Sequence, residues 1–424
     1  MSALLTRRRL GRLGGFASTQ LAVQAIGFAA GLLLVREMDR VDYGHYTLAL
    51  SLASVGAVLA DLGLATAVMA IGGRLLGQPR ALGALVADAQ ALQARLALLA
   101  AALLLPCGAL LLLRQQAPVW LALVLTGLVA LTVAFNVRSG IALSIARLRG
   151  RIGLQQRLDL GINSAKLAVL AVAAALALDA TVAWAVALAA AAAYFVLLRR
   201  HLSSELELPA APTGEHRAAL LRQLRGQAPN AVYYVLSSQI AVWLIGLFGN
   251  AERVAEVGAL GRLAAVFTVI GAVSAALVQP YFAARQSGAE LRAGFAGVNG
   301  FFAVLLGLLL LLALWLPGPI LWVLGGSYGG LDAELVWMVA AATLAAWGGT
   351  VYSIGCARGW VMPVGLSIAG GVAAIAATAS VVDVSTVVGG FQINTAIGLA
   401  GTLTAIGYFD LQLRRHARPR TATT

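Results

Sequence analysis

Residues 101–138 read AALLLPCGALLLLRQQAPVWLALVLTGLVALTVAFNVR, two uncharged runs hinged at Arg114 and closed by Arg138. The second run, Val119 to Val137, is 19 residues long, enough for a helix rising about 1.5 Å per residue to cross a hydrocarbon layer of ~30 Å. Working outward in both directions, comparable runs recur along the chain. They are Gly14 to Val35, His45 to Ile71, Leu92 to Leu113, Val119 to Val137, Leu158 to Leu178 and Val182 to Leu198 in the first half. In the second half they are Ala228 to Phe248, Gly258 to Phe282, Val298 to Leu316, Leu335 to Gly355, Val364 to Val382 and Phe391 to Leu411. This series predicts an all-α integral membrane protein with twelve transmembrane helices. Composition agrees: with 60% hydrophobic and 11% charged residues, the chain lacks the polar side chains to cover a water-facing globule.

Charge sets the expected orientation. With the N-terminus in the cytoplasm, the inside segments hold 23 arginines, including Arg7, Arg8, Arg9 and Arg12 before the first span and Arg414, Arg415, Arg418 and Arg420 after the last. Outside there are 4, namely Arg36, Arg40, Arg114 and Arg253. That asymmetry satisfies the positive-inside rule with both termini cytoplasmic. The formal charge of +13 is therefore loop charge and not a nucleic-acid stripe. The longest connection, RRHLSSELELPAAPTGEHRAALLRQLRGQAP, lies between spans six and seven. It divides the chain into an N-terminal six-helix bundle (1–200), a cytoplasmic linker (201–227) and a C-terminal six-helix bundle with a basic tail (228–424). RVDYGHYTLALSL from Arg40 and RVAEVGALGRLAAVF from Arg253 echo each other at an offset of 213, as expected of a parallel repeat of six spans.

The loops and motifs argue against catalysis. Outside loops are short, and Glu37 and Asp39, an E-x-D of the kind found in membrane glycosyltransferases, have no large outer domain to complete a site. No H-E-x-x-H, phosphate-binding Gly-rich loop or Cys/His cluster is present. Cys107 and Cys356 stand far apart with no metal or redox spacing. No catalytic residue, metal site or cofactor is expected.

Polar residues inside the spans are few, and each is costly enough to need a reason. Asp159, Asn163 and Lys166, the last being the sole lysine, form one stripe on span five at i, i+4 and i+7. Lys166 is read either as a cationic contact for an anionic substrate group, or as a lysine paired with a carboxylate or snorkelling to the interface. Arg262, a turn inside span eight, is read as a phosphate ligand or a snorkelling side chain. Asp61 of span two is read as a partner of Lys166 or Arg95, or as a site for a coupling proton. Gln20 and Gln24 share a face of span one with Gly27 and Gly31, a pattern used for close helix packing or for ligand contact. Asn230, Tyr233 and Tyr234 on span seven suit stacking against sugar rings or an interfacial aromatic belt.

These residues also carry a resemblance. REMDRVDYGHYTLALSLASVGAVLADLGLATAV resembles the first-to-second-span region of polysaccharide-biosynthesis flippases, matching at Arg36, Asp42, Tyr43, Gly44, Tyr46, Asp61, Leu62, Gly63 and Leu64. LIGLFGNAERVAEVGALGRLAAVF and PILWVLGGSY are similar to that family's junctions before spans eight and ten. The family belongs to the multidrug/oligosaccharidyl-lipid/polysaccharide exporter superfamily. The resemblance implies a V-shaped, two-bundle transporter in the bacterial cytoplasmic membrane. Such a protein would flip polyprenyl-pyrophosphate-linked oligosaccharide by alternating access for O-antigen or other surface polysaccharide. Membrane lipids would surround it, and a polysaccharide polymerase and glycosyltransferases would work beside it. It also implies that Lys166 and Arg262 meet the pyrophosphate, and that a proton, Na⁺ or the membrane potential supplies the energy. One departure is Gln239 in SSQIAVW, where relatives carry an Asp. The alternatives are a cation antiporter of the multidrug and toxin extrusion type and, behind it, a membrane glycosyltransferase.

Overall fold

The computed structural model describes residues 2–202, 211–285 and 288–417, and at 2–17, 272, 275, 276, 416 and 417 the backbone alone. Most of the linker's acidic stretch (203–210) and the end of the basic tail (418–424) lie outside the described residues, as do the side chains of Arg7, Arg8, Arg9 and Arg12. Among the described residues there are helices and no strands. In the first half these are α1 (Ser2–Glu37), α2 (Arg40–Asp61), α3 (Leu64–Gly72), α4 (Pro79–Arg114), α5 (Val119–Leu148), α6 (Ile152–Leu176), α7 (Ala180–Leu202) and α8 (Arg217–Phe248). There follow α9 (Ala251–Ala264), α10 (Phe267–Val273), a π-helical turn (Ser274–Val278), α11 (Gln279–Ala284), α12 (Gly288–Trp315), α13 (Pro317–Trp322), a 3₁₀ turn (Gly326–Tyr328), α14 (Asp332–Ala357), α15 (Val364–Ala379) and α16 (Val387–Ala417).

Each of the twelve expected runs falls on this series, with α2 and α3 together making span two and α9, α10, the π turn and α11 making span eight. Ten of the resulting helical stretches are long and apolar enough to cross a membrane, and the eleventh run is the shorter apolar helix Val364–Ala379. The twelfth lies in the 31-residue α16, whose Gln392, Asn394 and Thr395 dilute its apolar character.

The chain divides into two compact units, Met1–Leu236 and Ser237–Thr424. The division falls inside α8, and the packing gives the reason. Leu220 and Leu224, near the start of α8, are buried in a cluster with Leu64, Leu82, Leu85 and Ile141 of the first unit. Ala241 and Ile245, near its end, pack closely on Gly390 of α16 in the second.

The units repeat one internal plan. In the first, α5 packs with α7, α6 with α7, α4 with α5, α2 with α5 and α2 with α7. Six spans later the corresponding pairs are α14 with α16, α15 with α16, α12 with α14, α9 with α14 and α9 with α16. Spans two and eight, the ones that share sequence, also start alike. Asp39 caps α2 by accepting the Val41 N–H at 3.0 Å, and Asn250 caps α9 by accepting the Arg253 N–H at 2.9 Å. Tyr43 is fully buried and stacks on Tyr46 at 5.9 Å, which in turn meets Trp184 of α7 at 5.8 Å. The D-Y-G-H-Y segment thus anchors the first turn of α2.

Asp61-Leu62-Gly63-Leu64 is a break within span two. Leu62 and Gly63 both adopt left-handed backbone, φ 44° and 87°, which ends α2 and frees the first N–H groups of α3. Asp61 accepts two of them, from Gly63 at 3.2 Å and Ala65 at 3.1 Å. Gln227 of α8 lies against Gly63, where a Cβ would collide with its Oε1. The Asp61–Arg95 ion pair weighed from sequence is not formed: the carboxylate is engaged by the α3 N-terminus, and Arg95 lies exposed on α4.

A second carboxylate does similar work at the linker. Asp88 of α4, 4% exposed, accepts the N–H groups of Gly214 at 2.7 Å and His216 at 3.0 Å, just before α8 begins at Arg217. Replacing Asp88 by Ala removes the acceptor of both N–H groups, and charge-assisted bonds of this kind contribute about 1.5–3 kcal/mol each. The D88A variant is expected to unfold at a lower temperature in detergent and to be cut faster by protease between Leu202 and Arg217.

In the second unit, Gly348 of α14 sets the approach of α16. A Cβ there would stand 2.8 Å from Thr402 Oγ1 and 3.2 Å from its backbone nitrogen, whereas one at Gly349 would meet nothing within 4 Å. Helix propensity alone favours Ala over Gly by up to ~1 kcal/mol, so the sign separates the two positions. Gly349→Ala is expected to hold or raise the thermal midpoint, and Gly348→Ala to lower it.

Candidate functional site

The polar stripe of α6 lies along its packed side. Gln155, Asp159, Asn163 and Lys166 are half-buried, and Leu170, one turn beyond Lys166, is fully buried, while Gly161, Ser164, Ala165 and Ala168 on the opposite side are exposed. The helix packs on α1 and α7. From Arg157 to Lys166 the helix rises about 14 Å, about half of a ~30 Å hydrocarbon layer.

The members of the stripe have different partners. Arg147 Nε of α5 donates to Gln155 Oε1 at 3.0 Å, and Gln155 Nε2 donates to Asp159 Oδ2 at 3.2 Å. Asn163 Nδ2 turns back onto the Asp159 carbonyl at 2.7 Å. Lys166 has no hydrogen-bond or ion-pair partner among the described residues. Asp159, the acid nearest in sequence, is held by Gln155 on the side of Arg147.

On α1, which packs on α6, Gln20 and Gln24 are half-buried, Gly27 is exposed and Gly31 is buried beside Ala30, Leu34 and Val35. Neither glutamine amide has a hydrogen-bond partner among the described residues. Gly31 is buried, but a Cβ at Gly27 would meet nothing within 4 Å. Four chain reversals separate α1 from α6, so the two run parallel. The structure therefore brings Gln20 and Gln24 onto one packed helix pair with Asn163 and Lys166.

The remaining residues singled out from sequence are not part of this pair. Asn230, Tyr233 and Tyr234 stand on α8, the two rings edge-to-face at 5.6 Å and Tyr234 45% exposed. Arg262 is half-buried in the last turn of α9, in the second unit. Asp61 is occupied with α3, and Arg95 has no partner among the described residues. Among the described residues no group of three His, Cys, Asp or Glu side chains could hold a metal ion. Sequence reasoning passed over Gln93, which is 2% exposed and donates from Nε2 to the Val137 carbonyl at 2.9 Å. Within ADAQALQARLA, between the charged Asp88 and Arg95 and three residues after Gln90, nothing in the spacing marks Gln93 as the buried one.

No protein-family model and no curated protein matches the chain in sequence. Solved structures do match it in shape. An inward-facing multidrug resistance MATE family transporter of the MOP superfamily superposes with a TM-score of 0.67 at 14% identity, covering 93% of this chain and 95% of that one. A MATE structure in the straight conformation gives 0.61 at 15%, covering 96% and 95%. A eukaryotic MATE transporter gives 0.60 at 12%, covering 95% and 99%. At such identities the likeness is one of fold: this chain has the all-helical membrane fold of the MATE transporters over nearly its whole length.

The unpaired ammonium makes a prediction about stability. Breaking a buried ion pair costs about 3–5 kcal/mol, because it strands the other charge. Lys166 strands nothing, so Lys166→Met is expected to leave the thermal midpoint in detergent unchanged or higher. Asp159→Ala, which removes the acceptor of Gln155, is expected to lower it.

Proposed function

We propose that this chain is a membrane exporter of the multidrug and toxin extrusion type, working by alternating access. The observation that carries this is the near full-length match to MATE transporters. Both inward-facing and outward-facing structures are found among those relatives. The solved neighbours support this type ahead of the lipid-linked oligosaccharide flippase drawn from the sequence resemblance.

The site residues add a condition on the cargo. Lys166 is a half-buried cation with no carboxylate partner among the described residues, and α1, which packs on its helix, carries two unbonded glutamine amides. In a low-dielectric setting such a group repels cations and attracts anions. The reading is therefore an exporter of anionic or zwitterionic amphiphiles, with Lys166 meeting the anionic group and Gln20, Gln24 and Asn163 supplying hydrogen bonds. This chemistry also favours a second reading, the flipping of polyprenyl-pyrophosphate-linked oligosaccharide, whose head group is an anion of the same kind. Arg262, Tyr233, Tyr234 and Asn230 would serve that larger cargo, a polysaccharide polymerase and glycosyltransferases would use its product, and the bacterial cytoplasmic membrane would be its place. A proton, Na⁺ or the membrane potential would drive either process, with Asp61 as a candidate coupling group.

Transport by the purified chain in proteoliposomes tests both readings. Anionic fluorescent amphiphiles are expected to move under an imposed proton or Na⁺ gradient, and Lys166→Ala to slow them about tenfold, the equivalent of one charge-assisted contact near 1.4 kcal/mol. Lys166→Arg is expected to retain most of the rate. Movement of cationic dyes that is indifferent to Lys166 would overturn the anionic reading. Movement of a polyprenyl-pyrophosphate glycan, with drug-like amphiphiles left in place, would select the flippase.

A further inference from the structure

A groove of about 300 Å³ runs between α4 and α5 over a floor of α2 that includes Gly56. Its body is apolar, built from alanines such as Ala97 and Ala101 and from the leucines Leu98 and Leu131, which are 73% and 53% exposed. In a membrane those exposed leucines face hydrocarbon, so the groove opens sideways to lipid. An apolar cavity of half this volume already holds a benzene-sized guest.

One end of the groove differs from the rest. Gln93 and Arg138 line it together, linked through the bond from Gln93 Nε2 to the Val137 carbonyl. Gln93 is buried, and its Oε1 lacks a hydrogen-bond partner among the described residues. Arg138 is exposed, with no acceptor among the described residues. By the arginine distribution this is the cytoplasmic end. From Gln93 to Leu105 the groove follows α4 for about 18 Å, close to the ~15 Å depth of one leaflet's acyl chains in a ~30 Å core.

We propose that this groove is a binding site for one anionic phospholipid of the cytoplasmic leaflet, its phosphate on Arg138 and one acyl chain along the alanine-lined channel. Charge and shape both point to this occupant. A guanidinium at the interface is the group best matched to a phosphate, and the channel begins where the head-group layer ends. The site lies wholly within the first unit and does not depend on what the protein transports.

Native mass spectrometry of the purified chain, loaded from vesicles of phosphatidylglycerol or phosphatidylcholine, tests the assignment. One phosphatidylglycerol is expected to stay bound to the wild type at collision energies that strip phosphatidylcholine. Arg138→Gln, an exposed position that the fold tolerates, is expected to weaken phosphatidylglycerol retention about five-fold. Arg157→Gln, an exposed arginine away from the groove, is expected to leave it unchanged. Ala101→Phe, which fills the channel, is expected to reduce retention of both lipids. Equal retention of the two lipids, or equal losses in the Arg138 and Arg157 variants, would overturn the proposal.

Discussion

A backbone amide in the interior of a bilayer has no water to bond to, and the departures from regular helix in this chain are built around that fact. The break in span two is the clearest case. Two successive left-handed residues, Leu62 and Gly63, interrupt the ladder, and Asp61 takes up the N–H groups of Gly63 and Ala65. Without the carboxylate, those donors would lose their acceptor. At the linker, outside the spans, a carboxylate plays a similar part, Asp88 receiving the backbone that leads into α8. In the second unit, Arg358 donates to the carbonyls of Phe282 and Arg285 at the end of α11.

Several small polar side chains follow this rule as well. Thr126, Thr132, Ser139 and Thr343 each return a hydroxyl to the carbonyl four residues earlier, so their donors are met within their own helix. Thr402 instead donates across to the Leu344 carbonyl at 2.9 Å, next to the Gly348 contact, and so joins α16 to α14. Other polar groups are unmet among the described residues, the buried hydroxyls of Thr47 and Ser274 included. Lys166, Gln20 and Gln24 are half-buried on one helix pair, and Gln93 Oε1 and Arg138 share one end of a lipid-facing groove.

The repeat gives the fold its internal logic. Five helix pairings recur six spans apart, and both copies place an Asx cap at the start of the broken span. The copies diverge where they break. Span two uses a left-handed pair with an acidic cap, while span eight uses a short turn and a π-helical segment ahead of Pro280. Irregular turns of this kind in a transmembrane helix often accompany function or movement.

Twelve apolar runs, the arginine bias and the two-part organisation could be read from residue order alone, because hydrophobic length and loop charge are local properties that the bilayer converts directly into topology. The stripe on α6 was legible too, since helical period alone puts Asp159, Asn163 and Lys166 on one side. What no local pattern carried was partnership. Whether Asp61 meets an arginine or a helix end, whether Lys166 is paired, and that Asp88 holds the linker all depend on which helices pack together. That packing is decided by the summed fit of apolar side chains and close glycine contacts such as Gly348 against Thr402. Those are distances between residues far apart in the chain, and only the tertiary structure sets them.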